Sequence, residues 1–476
     1  MATSDAFGAP TAKLYRRKTV NLDIPSQRQT LSGWGRTRPS NAKVFSPNKL
    51  EQIQALIGQA EVASLITRGL GRAYGDAAQA AEANVLDLAA FGDIQLDLNN
   101  GIVTAGAGAS LENILKKIVP AGFFLPVTPG TSQVSLGGAI AADVHGKNHH
   151  GEGSFGSHLL RLQLIDGKGQ LRDLSPTGDA ENAAAFWATV GGMGLTGVIT
   201  EASFRLIPIQ TSLISVDTDR HPNLDSLMAA MLEGDDRYRY SVAWIDSLHP
   251  QGRGVLTRGD HASLEQLQAE LPNQANNPLG YNPKALASAP AFLPGGLLNS
   301  WTVGAFNETW FRKAPKHRVG ELQAISPYFH PLDGVSDWNR IYGPAGFLQY
   351  QFAVPDSEAQ LVPQTLEALR RIGAPSFLTV LKRFGPGNPG PLSFPQPGWT
   401  LAADVPAAVP GLAETLDQLD EKVAAAGGRL YLAKDSRQSA ATFQHCYPRL
   451  AEWQAQKQLL DPRGIFSSDL ARRLLI

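Results

Sequence analysis

Residues 141–158 read AADVHGKNHHGEGSFGSH and gather His145, His149, His150 and His158 among four glycines. A zinc site would need two or three of these histidines at helical or ribbon spacing, held by fixed partners. His145 and His149 are four apart, but Gly146, Gly151 and Gly153 make a poor helix, so no metal is expected. A histidine acting as base to a nucleophile needs an activated serine or cysteine, and no G-x-S-x-G elbow is present. Two readings stay open. One is a glycine-rich loop with incidental histidines. The other is a loop facing a cofactor, with His145 and Lys147 pointing at a ring or a substrate.

Three further glycine-rich stretches bear on that choice. The first is Arg68-Gly69-Leu70-Gly71-Arg72-Ala73-Tyr74-Gly75-Asp76. The second runs from Pro129-Gly130-Thr131 to Gly137-Gly138-Ala139, and the third is Gly191-Gly192-Met193-Gly194-Leu195-Thr196-Gly197. Glycines let backbone N–H groups converge on an anion because no Cβ blocks the approach. The first stretch is no Rossmann fingerprint: its third glycine comes one residue late and no good helix follows. Taken singly, each reads as a tight turn. Three after apolar strands in one region point to an extended ligand such as a dinucleotide.

The elements that must position these loops mix short strands and helices. Ser46-Pro47 reads as a helix start ahead of Leu50, Ile53, Leu56 and Ile57. GIVTAGAG (101–108) reads as a strand. Ser110 caps a helix with Leu111, Ile114, Leu115 and Ile118 on one face. LQLIDGKGQLRDL (162–174) signals a hairpin turning at Asp166-Gly167. Beyond Pro208, alternating stretches such as YRYSVAWID and FLQYQFAV predict an antiparallel sheet. Residues 271–296 and 325–338 read as long mobile loops. LAKDSR reads as a polar tip after a strand, and DPRGIFSSDLARRLL as a closing helix. The class is α+β, without the regular rhythm of a doubly wound sheet.

Composition narrows the function classes. The chain has 476 residues, 43% hydrophobic and 18% charged, with net charge −1. That balance gives no long-range attraction to nucleic acid. Cys446 is the only cysteine, which leaves no disulfide framework. No apolar run reaches the ~18 residues of a membrane span. The start has no apolar core ahead of Tyr15-Arg16-Arg17-Lys18, a cluster read as a solvated patch, so no signal peptide is expected. A cytoplasmic protein, or one attached peripherally to the inner membrane, is the expectation.

RGLGRAYGD, PGTSQVSLGGAIAADVHGKNHHGEGSFG and GGMGLTGVIT together resemble the flavin-binding segments of the vanillyl-alcohol-oxidase-type (PCMH-type) flavoproteins. The chain is most similar to a branch that oxidises lipid-linked ribose. SGWGRTRPS, FWATVGG, YGPAGFLQYQF, FGPGNPGPLSFPQPGW, GGRLYLAKDSR and DLARRL carry that likeness in order; the first thirty residues and the 260–300 region do not. The resemblance implies a flexible extension (1–30), a flavin domain begun at 31–209 and resumed at 429–476, and an antiparallel-sheet substrate domain (210–428) between. It implies extended FAD against Arg68, Gly69, Leu70, Gly71, Arg72, Ala73, Tyr74, Pro129, Gly130, Thr131, Val134, Ser135, Gly137, Gly138, Ala139, Val144, His145, Ile199 and Tyr431. The histidine that many of these flavoproteins use for covalent attachment is missing from Arg72-Ala73-Tyr74, so FAD is expected to be non-covalent. Ala402 stands where the related ribose oxidases carry a pocket cysteine. Position 329 is Phe after Tyr328, the reverse of the order in those relatives.

The implied reaction turns the 2′-hydroxyl of a polyprenylphosphoryl-β-D-ribose into a ketone. It would be the first half of an epimerisation toward an arabinose donor for cell-envelope polysaccharide, with a short-chain NADH-dependent reductase as functional partner and peripheral membrane contact. Lys434 is the first choice for the catalytic amine, as base or as electrostatic stabiliser, with His145 as base or flavin-positioning donor. Lys147 and Lys382 are expected at the phosphate, and Gln349 and Gln351, on one strand face, at the sugar. Trp244, Val380, Thr400 and Ala402 complete the expected pocket. The alternatives are a soluble alditol or aldonolactone oxidase of the same fold, and a non-catalytic FAD-bound scaffold.

Overall fold

Three large sheets, with two small two-stranded ones, carry the chain in the computed structural model, which describes residues 24–59 and 64–476. The Tyr15–Lys18 cluster and most of the expected N-terminal extension lie outside those residues. Ser26–Leu31, however, is a strand paired with Ser40–Phe45, so that part of the 1–30 stretch is built into a sheet. The strands Ala83–Asp87 and Leu65–Arg68 complete this four-stranded sheet in parallel.

Beside it lies a five-stranded antiparallel sheet, in the order Ile94–Asp97, Ile102–Gly106, Val198–Arg205, Leu159–Ile165 and Leu171–Leu174. Local chemistry shapes it as the sequence predicts. Ser110 Oγ accepts from Asn113 N at 3.0 Å, and Leu111, Ile114, Leu115 and Ile118 of the helix it caps are buried. In the 166–170 turn Asp166 Oδ1 accepts from the N–H groups of Lys168 and Gln170, and Arg172 closes on Oδ2 at 2.6 Å. The Leu50–Gly58 helix starts later than Ser46-Pro47, with Lys49 at its N-cap and Gln52 reaching back to accept from Asn48 N.

The third sheet has eight antiparallel strands. Their order is His317–Ala324, Leu213–His221, Gly254–His261, Tyr240–Ile245, Thr379–Phe384, Gly398–Pro406, Phe347–Val354 and Arg429–Leu430. The last of these belongs to the expected C-terminal return yet pairs with Phe347–Val354. One face of this sheet packs on helices through Phe352, Leu381, Leu401, Leu366 and Leu416. The other face carries the polar row described below.

Two buried knots bind the sheets together. Asp143, at φ 40°, accepts from Ser154 Oγ, Gly156 N, Ser393 Oγ and Asn388 Nδ2 at 2.6–2.9 Å. That ties the histidine loop to the proline-rich segment, and four hydrogen bonds offset the left-handed backbone of a non-glycine residue. Arg473 bridges Asp76 (2.8 Å) and Asp435 (2.9 Å), so the closing helix holds the first glycine turn against the LAKDSR segment. Residues 325–338 are not an open loop: Ile325–Phe329 is helical, Tyr328, Phe329 and His330 are buried, and His330 Nε2 meets Thr128 Oγ1 at 2.8 Å. Apolar and aromatic residues there found a core that their proline-punctuated sequence did not advertise. The 271–296 stretch is mostly irregular.

Candidate active site

The glycine turns meet around the short helix Leu136–Ala141. A Cβ on Gly69 would sit 1.9 Å from Ser135 Oγ, the hydroxyl that caps this helix by accepting from Gly138 N. Gly191 N donates to Ile140 O at 3.0 Å and Met193 N to Ala141 O at 2.8 Å, which brings in the third turn. Tyr74 N donates to Ala433 O at 2.8 Å, and a Cβ on Gly75 would lie 1.8 Å from Asp435 O. The first turn is therefore clasped by the residues that flank Lys434.

These turns fit an extended dinucleotide. Gly71 is at φ +64°, Gly130 faces open space where a Cβ would stand, and Leu70 is exposed beside them. Arg72 lies 3.9 Å over the Trp34 ring and donates to Gln133 O, which leaves its other nitrogens for an anion. The Arg68 guanidinium instead donates to Ser32 O and Ala78 O, so this residue braces the turn. Asp333 accepts from Thr131 Oγ1, Ser132 N and Ser132 Oγ, fixing the second turn. Ala73 and Val134 are half-buried; Val144, Ile199 and Tyr431 are buried, and Tyr431 O–H donates to Ala142 O at 2.9 Å.

The strand registers place the expected substrate residues in one row. Gln351 is opposite Ala402, Ala402 opposite Val380, and Val380 opposite Trp244. One step along, Lys382 faces Thr400, and on the other side Gln349 faces Asp404. Residues two apart share a face, so this row is continuous. Gln351 Nε2 lies 2.9 Å from His145 Nε2 and 3.3 Å from Thr400 Oγ1; Lys382 Nζ lies 3.4 Å from His145 Nδ1. Trp244 is half-buried, its Nε1 donating to Phe377 O at 2.9 Å.

The electrostatics of this cluster are unusual. Burial, then the cations of Lys382 and Lys434, hold His145 far below the ordinary imidazole value, so the ring is neutral. Burial and the adjacent Lys382 bring Lys147 down to about 7, and burial alone brings Lys382 to about 8. Lys434 is lowered by burial against the pull of Asp404, while Asp404 is raised by burial against Gln349 and Lys434. Desolvation thus outweighs their mutual attraction. Lys147 Nζ donates to Tyr328 O and sits 3.9 Å from that ring's centroid. Three half-buried amines and one buried carboxylate thus share this side of the sheet.

The other histidines of the 141–158 stretch disperse. His150 Nε2 meets Tyr238 O and His158 Nε2 meets Glu152 O, both at 2.9 Å. His149 is buried against Phe384 with both ring nitrogens unpartnered, and burial lowers it to about 3. Tyr328 O–H is buried near Gly259, and Phe329 packs on Phe124 and Tyr240. Asp404 is the participant that sequence reasoning missed. Its signal was strand alternation: it stands two residues from Ala402 and four from Thr400 in an otherwise apolar strand.

The comparisons agree with this geometry. A family described as FAD binding domain matches residues 42–175, and one described as D-arabinono-1,4-lactone oxidase matches 409–474. Backbone-lined turns for a dinucleotide, opening on a polar sheet face, define an FAD-dependent oxidoreductase of the PCMH-type α+β fold. The chain is 42% identical to decaprenylphosphoryl-β-D-ribose oxidase of Mycolicibacterium smegmatis over 95% of its own length and 98% of that protein's. It belongs to the decaprenylphosphoryl-β-D-ribose oxidase family. It is also 37% identical to an uncharacterised protein of Streptomyces coelicolor over 77% of the chain and 99% of that protein. With D-arabinono-1,4-lactone oxidase of Saccharomyces cerevisiae it shares 25% identity over 35% of the chain and 32% of that protein.

Proposed function

We propose that this protein oxidises the 2′-hydroxyl of a polyprenylphosphoryl-β-D-ribose to the 2′-ketone. The observation that carries the reading is the set of three half-buried amines: Lys382 and Lys434 beside neutral His145, and Lys147 next to Lys382. A neutral sugar or lactone gives no reason to set the two cations Lys147 and Lys382 side by side; a sugar phosphate does. FAD, held by the glycine turns, supplies the hydride acceptor.

The chain's own residues do the rest. Lys147 and Lys382 meet the phosphate as cations. Gln351 and Thr400, with Gln349 further along the strand, offer hydrogen bonds to the ring hydroxyls. Lys434, whose amine burial has made easier to deprotonate, accepts the hydroxyl proton. His145 is the poorer base, because both its nitrogens already face Gln351 and Lys382. The division of the chain near 209 and 428 into flavin and substrate parts belongs to the same reading. So do a reductase that returns the ketone to an alcohol of opposite configuration and peripheral contact with a membrane. Among the described residues no helix is long and apolar enough to cross one.

The test is anaerobic mixing of the purified yellow protein with lipid-linked ribose phosphate, free alditols and aldonolactones. Bleaching by the first alone supports the proposal. Bleaching and peroxide release with the free sugars would place the activity with the aldonolactone oxidases. No bleaching by any, with Lys434→Ala still complementing a null strain, would leave a scaffold.

A further inference from the structure

The three most exposed large apolar side chains among the described residues, Leu286, Phe292 and Trp301, are 90, 86 and 82% accessible and lie within one short stretch. Leu297, Phe306 and Trp310 follow in the same stretch, each more than two-fifths exposed. Scattered apolar residues on a surface mean little; a concentration of aromatic ones marks an interaction face. This one is held by the fold. Val303 and Asn307 anchor the helix Ser300–Lys313, with Asn307 Nδ2 donating to Asp246 Oδ1 at 2.8 Å, and Arg340 donates to Ala289 O at 3.0 Å.

Charge says what covers it. Residues 271–318 hold Lys284, Arg312, Lys313, Lys316 and Arg318 against the single acid Glu308, in a chain whose net charge is −1; Arg312 pairs with Glu308 and Arg318 with Glu321, which leaves Lys284, Lys313 and Lys316 as the unpaired cations of the stretch among the described residues. Aromatic side chains beside unbalanced basic ones suit an anionic lipid surface. Behind the face, packed aromatic rings link it to the candidate site. Phe306 meets Phe377 edge-on at 5.7 Å, Phe377 lies 6.1 Å from Tyr342, and Tyr342 stacks on Phe347 at 4.1 Å. Phe347 meets Tyr74 at 5.3 Å, and Lys434 lies over Tyr74.

We propose that the 286–316 stretch docks the protein on an anionic lipid bilayer. The docking face stands on the exposure and charge above; that it serves a lipid-linked substrate rests on the function proposed earlier.

Cosedimentation of the holoprotein with phosphatidylglycerol-containing and pure phosphatidylcholine vesicles tests it. Binding is expected to the anionic vesicles and to weaken with salt. Phe292→Ser with Trp301→Ser should weaken it roughly tenfold or more, and Lys313→Glu with Lys316→Glu should abolish the preference for anionic lipid. All four changes should leave the yellow colour and turnover of a short, water-soluble prenylphosphoryl ribose unaltered. Failure of the wild type to bind either vesicle, or binding indifferent to Phe292 and Trp301, overturns the docking face. So does self-association that the same variants abolish. If vesicle binding holds but lipid-linked ribose never bleaches the protein, the substrate reading fails and the docking face stands.

Discussion

Lys434 Nζ lies 3.7 Å from the centre of the Tyr74 ring. One residue comes from the first glycine turn, the other from the C-terminal segment that clasps it through Tyr74 N and Ala433 O. An aromatic face steadies an amine without adding a full counter-charge. That contact favours the charged amine; burial, with Lys382 nearby, outweighs it and lowers Lys434 to about 7, while the first glycine turn holds the side chain in place.

The pH dependence follows from that. In the proposed reaction the neutral amine accepts the proton, and its share grows as pH rises through the lowered value of about 7. The rate of flavin bleaching is expected to climb through that range and level off above it. Lys434→Ala should keep its yellow colour and bleach roughly 10²–10⁴-fold more slowly. Asp404→Asn removes the attraction that holds the Lys434 value up, so the rising limb should move to lower pH in stopped-flow traces. A limb that stays put would show that Asp404 does not act on the amine.

Lys147 and Lys382 should behave in the opposite sense. Their positive charge is complete below about 7 and about 8 and disappears above. KM for the phosphorylated substrate should rise with pH across that window. Lys147→Met or Lys382→Met should raise KM by the loss of a charged hydrogen bond, about 1.5–3 kcal/mol or roughly ten- to hundredfold, with a smaller effect on kcat. Steady-state titration on either side of neutrality checks this.

FAD should leave with the supernatant on acid precipitation. The first turn reads Arg72-Ala73-Tyr74, with no histidine or cysteine, and the lone thiol of Cys446 is buried elsewhere. Absorbance of the supernatant measures it; yellow colour retained in the pellet would reveal a covalent link.

Gly75→Ala should loosen cofactor and fold together. The added methyl would press on the backbone carbonyl of Asp435, which cannot swing aside as a side chain would. Overpacking of this kind costs about 1–3 kcal/mol. A lower Tm together with faster FAD loss on dilution is expected, because the clasp between the first glycine turn and the 433–435 segment opens.

Thiol chemistry should distinguish position 402. Burial pushes the Cys446 thiol up to about 12, so the native protein should resist maleimides. Ala402→Cys puts a sulfur on the half-buried sheet face opposite Gln351 and Val380. It should take up one label by mass spectrometry, more slowly when substrate is present.

Local patterns were enough to specify much of this protein. The Ser110 cap, the 166–170 hairpin turn, the alternation in Phe347–Val354 and the glycine runs each depend on neighbours within a few residues, and all were readable in the chain. So was the likeness that points to FAD. What no local pattern could say is which of those pieces touch. Asp404, Asp143 and Asp333 have their roles only because distant segments fold onto them. The 325–338 stretch looked like a loop because proline and glycine punctuate it, yet Tyr328 and Phe329 find a core to fill. The lowered basicity of Lys147, Lys382 and Lys434 has the same origin: desolvation and proximity belong to the packed molecule, and a lysine in a sequence has neither.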